Sequence, residues 1–125
     1  MQRGPEVKFP AFVRLFLPSV AVLAFVAVAA CGGSAGQRLY RHGGCVKCHG
    51  VHLKGSHLAP SLKRLGERWA AEELGKFLVD PLGYKEMDAR LKTLAKRYPA
   101  PMPVFTMADS DRKLLVEYLL EASAR

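Results

Sequence analysis

Cys45, Val46, Lys47, Cys48 and His49 form the one stretch of this chain whose residue types and spacing could do chemistry together. Two thiols three residues apart can each form a thioether with a vinyl group of a haem. The imidazole that follows directly is then placed under the iron as a proximal ligand. The same residues allow two other chemistries. A pair of cysteines at this spacing can be half of a zinc site, which His52 and His57 could complete, or a redox dithiol. A dithiol of the thioredoxin kind would sit in a strand–helix unit, and no alternating strand pattern flanks the motif. Gly43, Gly44 and Gly50 bracket the pentapeptide, where a backbone must turn tightly around a flat cofactor.

The residues before the motif favour haem, because they read as an export signal. Arg3, Lys8 and Arg14 face a single acid, Glu6, and are followed by an uncharged run from Leu15 to Ala30. A basic start, a short apolar run and small residues at its end are the parts of a secretory signal. The run is shorter than the ~20 residues that span a bilayer comfortably, and Pro18 interrupts it. Val28-Ala29-Ala30-Cys31 resembles a bacterial lipoprotein cleavage box, which makes Cys31 a candidate for lipidation on its thiol. Other readings are ordinary cleavage near Ala30 or an uncleaved anchor beginning near Phe9. All of them place the rest of the chain outside the cytoplasm. The expected organisation is a signal peptide or anchor over 1–30, a tether over 31–36 and one domain over 37–125.

From Cys31 onward the chain holds 16 Lys and Arg against 10 Asp and Glu. The surplus suggests attraction to acidic partners or anionic lipid. It does not suggest nucleic acid, since no dense basic block with interleaved aromatics occurs. The lysines at 47, 54, 63, 76, 85, 92 and 96 read as a solvated face, or, near the cofactor, as steering charges for an acidic redox partner.

The elements that must position the motif are short. Ala35–His42 is a helix candidate with Leu39 and Tyr40 facing inward. Residues 51–65 read as loop, broken by Gly55 and Pro60. Over Ala70–Val79, Leu74, Phe77 and Leu78 make one apolar helix face, which must stop near Asp80 because Pro81 disfavours helix in the residue before it. Asp88–Arg97 repeats the pattern with Leu91, Leu94 and Ala95. Prolines 99, 101 and 103 force an extended loop. Asp109–Ala122 carries Leu115, Tyr118 and Leu119 at helical spacing, with Asp109 and Asp111 at its positive end. The expectation is an all-α domain of three to four short helices and long loops, in which a large apolar cofactor supplies part of the core.

From about Gly36 to its end the chain resembles the small monohaem class I cytochromes c. Gly36–Cys45 looks like the family's first helix leading into the attachment motif. Ala59-Pro60-Ser61-Leu62 looks like the segment whose proline carbonyl accepts a hydrogen bond from the proximal histidine, here orienting His49. Trp69 and the stretch from Glu73 to Pro81 are similar to the mid-chain helix that ends in Asp-Pro. Pro101-Met102-Pro103 resembles the axial-methionine loop, and Asp109–Leu120 the terminal helix. The resemblance implies one covalent haem c on Cys45 and Cys48, with His49 and Met102 as axial ligands and Trp69 as a possible contact to a haem propionate. Met87, Met107, His42, His52 and His57 are the weaker candidates for the sixth position, each with a packing or surface role as its plainer explanation. The implied function is one-electron transfer on the outer face of the cytoplasmic membrane. Two alternatives are a fixed cytochrome subunit of a larger oxidoreductase and a haem-based sensor or ligand binder.

Overall fold

The structure is a computed structural model and describes residues 33–125. The signal segment and Cys31 lie outside the described residues. Among those described there are six α-helices and one 3-10 turn, and no strand.

Helix α1 (Ala35–His42) starts where Ser34 caps it, its side chain accepting from the Gln37 amide at 3.2 Å. Arg41 and His42 sit in its last turn, where positive charge suits the helix dipole. The helix therefore begins inside the stretch read as a tether, and Gly36 is a buried helical residue. Its lack of a side chain is what lets α1 cross α6 (Asp109–Ser123). A Cβ there would overlap the Leu114 carbonyl oxygen and lie 2.5 Å from the Tyr118 Cβ. The rings of Tyr40 and Tyr118 meet at the same crossing, 5.8 Å apart.

Helix α2 (Cys45–His49) is one turn long and follows α1 through Gly43 and Gly44. A loop then runs to the 3-10 turn at Leu65–Glu67. Helix α3 (Ala71–Val79) buries Leu74 and Leu78 against α6 and carries Glu72 and Glu73 in its first turn. It stops at Asp80, as the following proline requires. A further helix, α4 (Pro81–Met87), begins at that proline. Pro81 fits the first helical position, where its missing amide hydrogen costs nothing, and the Asp80 carboxylate caps the Gly83 amide at 2.8 Å. Periodicity does not reveal this helix, because α4 is too short for a repeating pattern. The Asp-Pro pair is the available signal. Helix α5 (Ala89–Arg97), capped by Asp88, packs on α4. Helices α2 and α4 raise the number of short helices above the three or four expected, within the all-α class.

The core sits where α1, α3 and α6 meet. It holds Tyr40, Leu53, Leu65, Leu74, Leu78, Leu115, Val116 and Leu119. Ser123, at the end of α6, is the buried polar residue that ties the mid-chain to this core. Its hydroxyl accepts from the Leu65 amide at 3.2 Å and donates to the Leu120 carbonyl at 3.0 Å. The Arg64 amide donates to its carbonyl at 2.8 Å.

Candidate haem site

One helical turn places Cys45, Cys48 and His49 at i, i+3 and i+4, and so on one face of α2. The turn is entered through Gly44 at φ 87° and left through Gly50 at φ 75°, both in the left-handed region that favours glycine. Neither cysteine is in a disulfide, and both are half-buried. Burial pushes the Cys45 thiol up, and the neighbouring Cys48 adds to the shift against an opposing backbone hydrogen bond. A reactive dithiol is served by the opposite shift.

The loop after α2 folds back and takes up the carbonyls at the end of the motif one by one. The Ser56 hydroxyl donates to the Cys48 carbonyl at 2.7 Å. The Gly55 amide donates to the His49 carbonyl at 2.9 Å. The buried Tyr40 hydroxyl, from α1, donates to the Gly50 carbonyl at 2.6 Å. These are the groups a helix end leaves without partners, and here they fasten the motif to the first helix and to its own loop.

His49 Nδ1 lies 2.9 Å from the Pro60 carbonyl oxygen. A carbonyl can only accept, so Nδ1 carries the hydrogen and Nε2 keeps its lone pair for a metal. Burial lowers the His49 pKa, and the bond to Pro60 opposes this only in part. Burial thus favours the neutral ring, the form that ligates iron. His52 and His57 are exposed, and among the described residues no three or more His, Cys, Asp or Glu side chains converge. The zinc arrangement considered from the sequence is not assembled.

The proline loop runs without regular structure from Tyr98 to Ala108. Met102 and Met107 are both half-buried and packed against the core, whereas Met87 is 77% exposed. Of the methionines weighed from the sequence, Met87 is therefore set apart by its exposure, while Met102 and Met107 stay within the packed part of the domain. Trp69 is half-buried in an aromatic group with Phe77, at 4.9 Å between ring centroids, and Tyr84, at 6.2 Å. The Arg90 guanidinium stacks on the indole, 5.2 Å from its centroid. It is oriented by the Asp88 carboxylate and by the Arg68 carbonyl at 2.7 Å.

The donor set fits a covalent haem. Two unpaired thiols and a neutral, oriented imidazole share one face, and two soft thioether sulfurs lie in the proline loop. Sequence reasoning missed the hydrogen bonds of Tyr40 and Ser56, the bond from the Ser61 hydroxyl to the Leu53 carbonyl at 3.1 Å, and the stacking of Arg90. Short hydroxyl side chains in a glycine-containing loop were the only hint, since such residues bond nearby backbone. An open groove of about 510 Å³, lined by Glu72, Gly75, Lys76, Val79, Asp80, Tyr84 and Arg112, includes none of the motif residues.

Residues 33–123 match the family model for cytochrome c. The chain is also similar to a protein of Cereibacter sphaeroides (strain ATCC 17025 / ATH 2.4.3) that is named as a subunit of nitric oxide reductase. The two are 27% identical over 84 residues, which cover 67% of this chain and 55% of that protein. This chain thus spans about half the length of the curated relative. No solved structure matches.

Proposed function

The chain belongs to the cytochrome c family, and from that premise we propose that it is a one-electron carrier outside the cytoplasm, with haem joined to Cys45 and Cys48 and axial ligands from His49 and Met102. The family carries a covalently attached c-type haem and moves electrons without being an enzyme in its own right. When bound, the haem supplies a ferrous–ferric couple. The chain's residues supply the rest. His49 is held by Pro60 in the tautomer that ligates, and α1, through Tyr40, holds the motif against the core. The single observation that carries the reading is the His49–Pro60 bond. It assembles, across a loop that no periodicity describes, a histidine ready to bind iron.

Met102 is favoured over Met107 because Pro101 and Pro103 flank it and stiffen the loop that would hold a weak thioether bond. Met–His ligation raises the potential above that of a bis-histidine haem. Replacing Met102 with Ala is expected to leave the haem attached, abolish the long-wavelength band of thioether-ligated ferric haem and open the iron to CO. Met107→Ala is expected to keep the band. If the two variants exchange these outcomes, Met107 is the ligand.

The charge distribution supports acidic partners. Residues 34–66 include Arg38, Arg41, Lys47, Lys54, Lys63 and Arg64 and no acid, whereas residues 67–125 hold ten bases and ten acids. The domain's whole basic surplus thus lies on the part that carries the motif. Arg41, Lys47 and Lys54 are exposed and in no ion pair among the described residues. Export and a lipid on Cys31 are supported by the sequence of residues 1–31. None of the described helices is long and apolar enough to cross a membrane.

A second reading, the fixed subunit of an oxidoreductase, is favoured by exposed apolar side chains at the end of α3 and along α4. Val79 is 48%, Leu82 49% and Met87 77% exposed. The relative is also named as a subunit. Mild solubilisation separates the readings. A subunit leaves the membrane together with a larger complex, and a free carrier leaves alone.

A further inference from the structure

The Pro60 carbonyl that orients His49 is itself held in place, and the holding groups are unusual. Leu53 is a buried leucine at φ 60°, in the left-handed region that non-glycine residues rarely occupy. Such strain persists only where the surroundings over-determine it. Here they do. The Leu53 amide donates to the Gly50 carbonyl at 3.3 Å, and its side chain is locked in the core. Its carbonyl accepts twice, from the Leu62 amide at 2.9 Å and from the Ser61 hydroxyl at 3.1 Å. Those two donors directly follow Pro60. From the other side, Gly55 at φ 76° presses its backbone on the same peptide. A Cβ on it would stand 2.5 Å from the Ser61 amide nitrogen and 2.7 Å from the Pro60 carbonyl carbon.

We propose that the Leu53 carbonyl and the Ser61 hydroxyl form a strut that sets how closely the Pro60 carbonyl meets His49 Nδ1, and that Ser61 thereby tunes the reduction potential as a positioning residue. The proposal rests on His49 being the proximal ligand. A firm Nδ1–H donor bond makes the iron-bound nitrogen more basic, which favours the ferric state and lowers the potential. Loosening the strut raises it. The Ser61 side chain is exposed, so its removal leaves the core packing intact. Ser56 is a matched comparison. Its hydroxyl also bonds a backbone carbonyl, but that of Cys48 in α2 rather than one tied to the peptide after Pro60.

The test uses the full-length haem protein in the ferrous state and reads two quantities. These are the exchange rate of the His49 Nδ1 proton by NMR and the reduction potential. Ser61→Ala is expected to speed exchange about tenfold, the worth of one hydrogen bond, and to raise the potential. Ser61→Thr keeps the hydroxyl and is expected to restore both, and Ser56→Ala, which frees the Cys48 carbonyl rather than the Pro60–Ser61 peptide, is expected to move both less than Ser61→Ala does. Gly55→Ala, which pushes on the Pro60–Ser61 peptide, is expected to exceed Ser61→Ala in both. Unchanged exchange and potential in Ser61→Ala overturn the proposal, as does an equal change in Ser56→Ala, which would mark general loosening of the loop. A wild-type spectrum without a slowly exchanging His49 Nδ1 proton also overturns it. Haem staining of the same sample on a denaturing gel then tells whether the haem assignment falls too.

Discussion

Residues 34–66 and residues 67–125 are held by different means. In the first part every residue with positive φ among those described is found: Gly44, Gly50, Leu53, Gly55 and Arg64. Its long loop is fixed by single hydrogen bonds from Tyr40, Gly55, Ser56 and Ser61 to backbone carbonyls. Its cations have no acid of their own part to pair with, for it contains none, and Arg64 reaches across to Glu67. The second part is regular apart from the proline loop that carries Met102. Helices α3 and α6 bury periodic leucines, α4 and α5 begin at the caps Asp80 and Asp88, and α3 and α6 carry the surface ion pairs Lys76–Glu72 and Arg112–Asp109. Such pairs are each worth little, and their effect is mainly to leave this part electrically neutral. The contrast teaches a division of labour. The regular part is a platform, and the irregular part holds its motif by over-determined backbone and presents unbalanced positive charge.

The largest expected effect comes where the two parts join. Gly36→Val would drive a side chain into the Leu114 carbonyl and Tyr118, and should destabilise the domain by about 3 kcal/mol, at the upper end for overpacking. Denaturant melts check this. A loss under about 1 kcal/mol would mean that the α1–α6 crossing can shift and that the parts are less rigidly joined than described.

Charge reversal sharpens the contrast next. The double variant Lys47→Glu, Lys54→Glu should slow oxidation of the ferrous protein by ferricyanide about tenfold at low salt, with the difference fading at high salt. Exchanging the partners in the regular part, Glu72→Lys with Lys76→Glu, should leave the rate unchanged. Stopped-flow rates against ionic strength decide. Equal sensitivity of both variants would break the distinction.

The smallest effect concerns a cap. The Arg90 guanidinium beside Asp88 holds its carboxyl below the usual carboxylate range, with backbone hydrogen bonds adding to the shift against some desolvation. Because the folded value is depressed, the stabilisation is present above the unfolded pKa of about 3.9 and is lost as pH falls through the lower folded value. Asp88→Ala should cost about 1 kcal/mol at neutral pH. Asp88→Asn, which can still cap, should cost less and should flatten this part of the acid dependence in thermal melts.

The same division explains what can be read from the sequence. Periodic leucines place α3, α5 and α6 within a residue or two of their observed ends, since one apolar face is enough to define a helix. The pentapeptide Cys45–His49 is legible because thioether and imidazole chemistry needs that spacing. The loop between them is not. Leu53 at positive φ, the Ser56 and Ser61 bonds and the reach of Tyr40 to Gly50 are contacts between residues with no periodic relation. The start of α4 hides behind Pro81, which marks the end of one helix and the beginning of the next. Met102 and Met107 both pack on the core, so burial alone does not rank them and the flanking prolines carry that choice.

The central claim is that this chain keeps both axial positions of its haem filled while it passes single electrons. Its most direct test is a redox titration of the full-length protein followed by visible absorption, with CO added to the untreated ferrous form. A reversible one-electron transition between two six-coordinate spectra is expected, with no rapid CO binding. Rapid CO binding by the ferrous protein would contradict the claim and turn the site into that of a ligand binder.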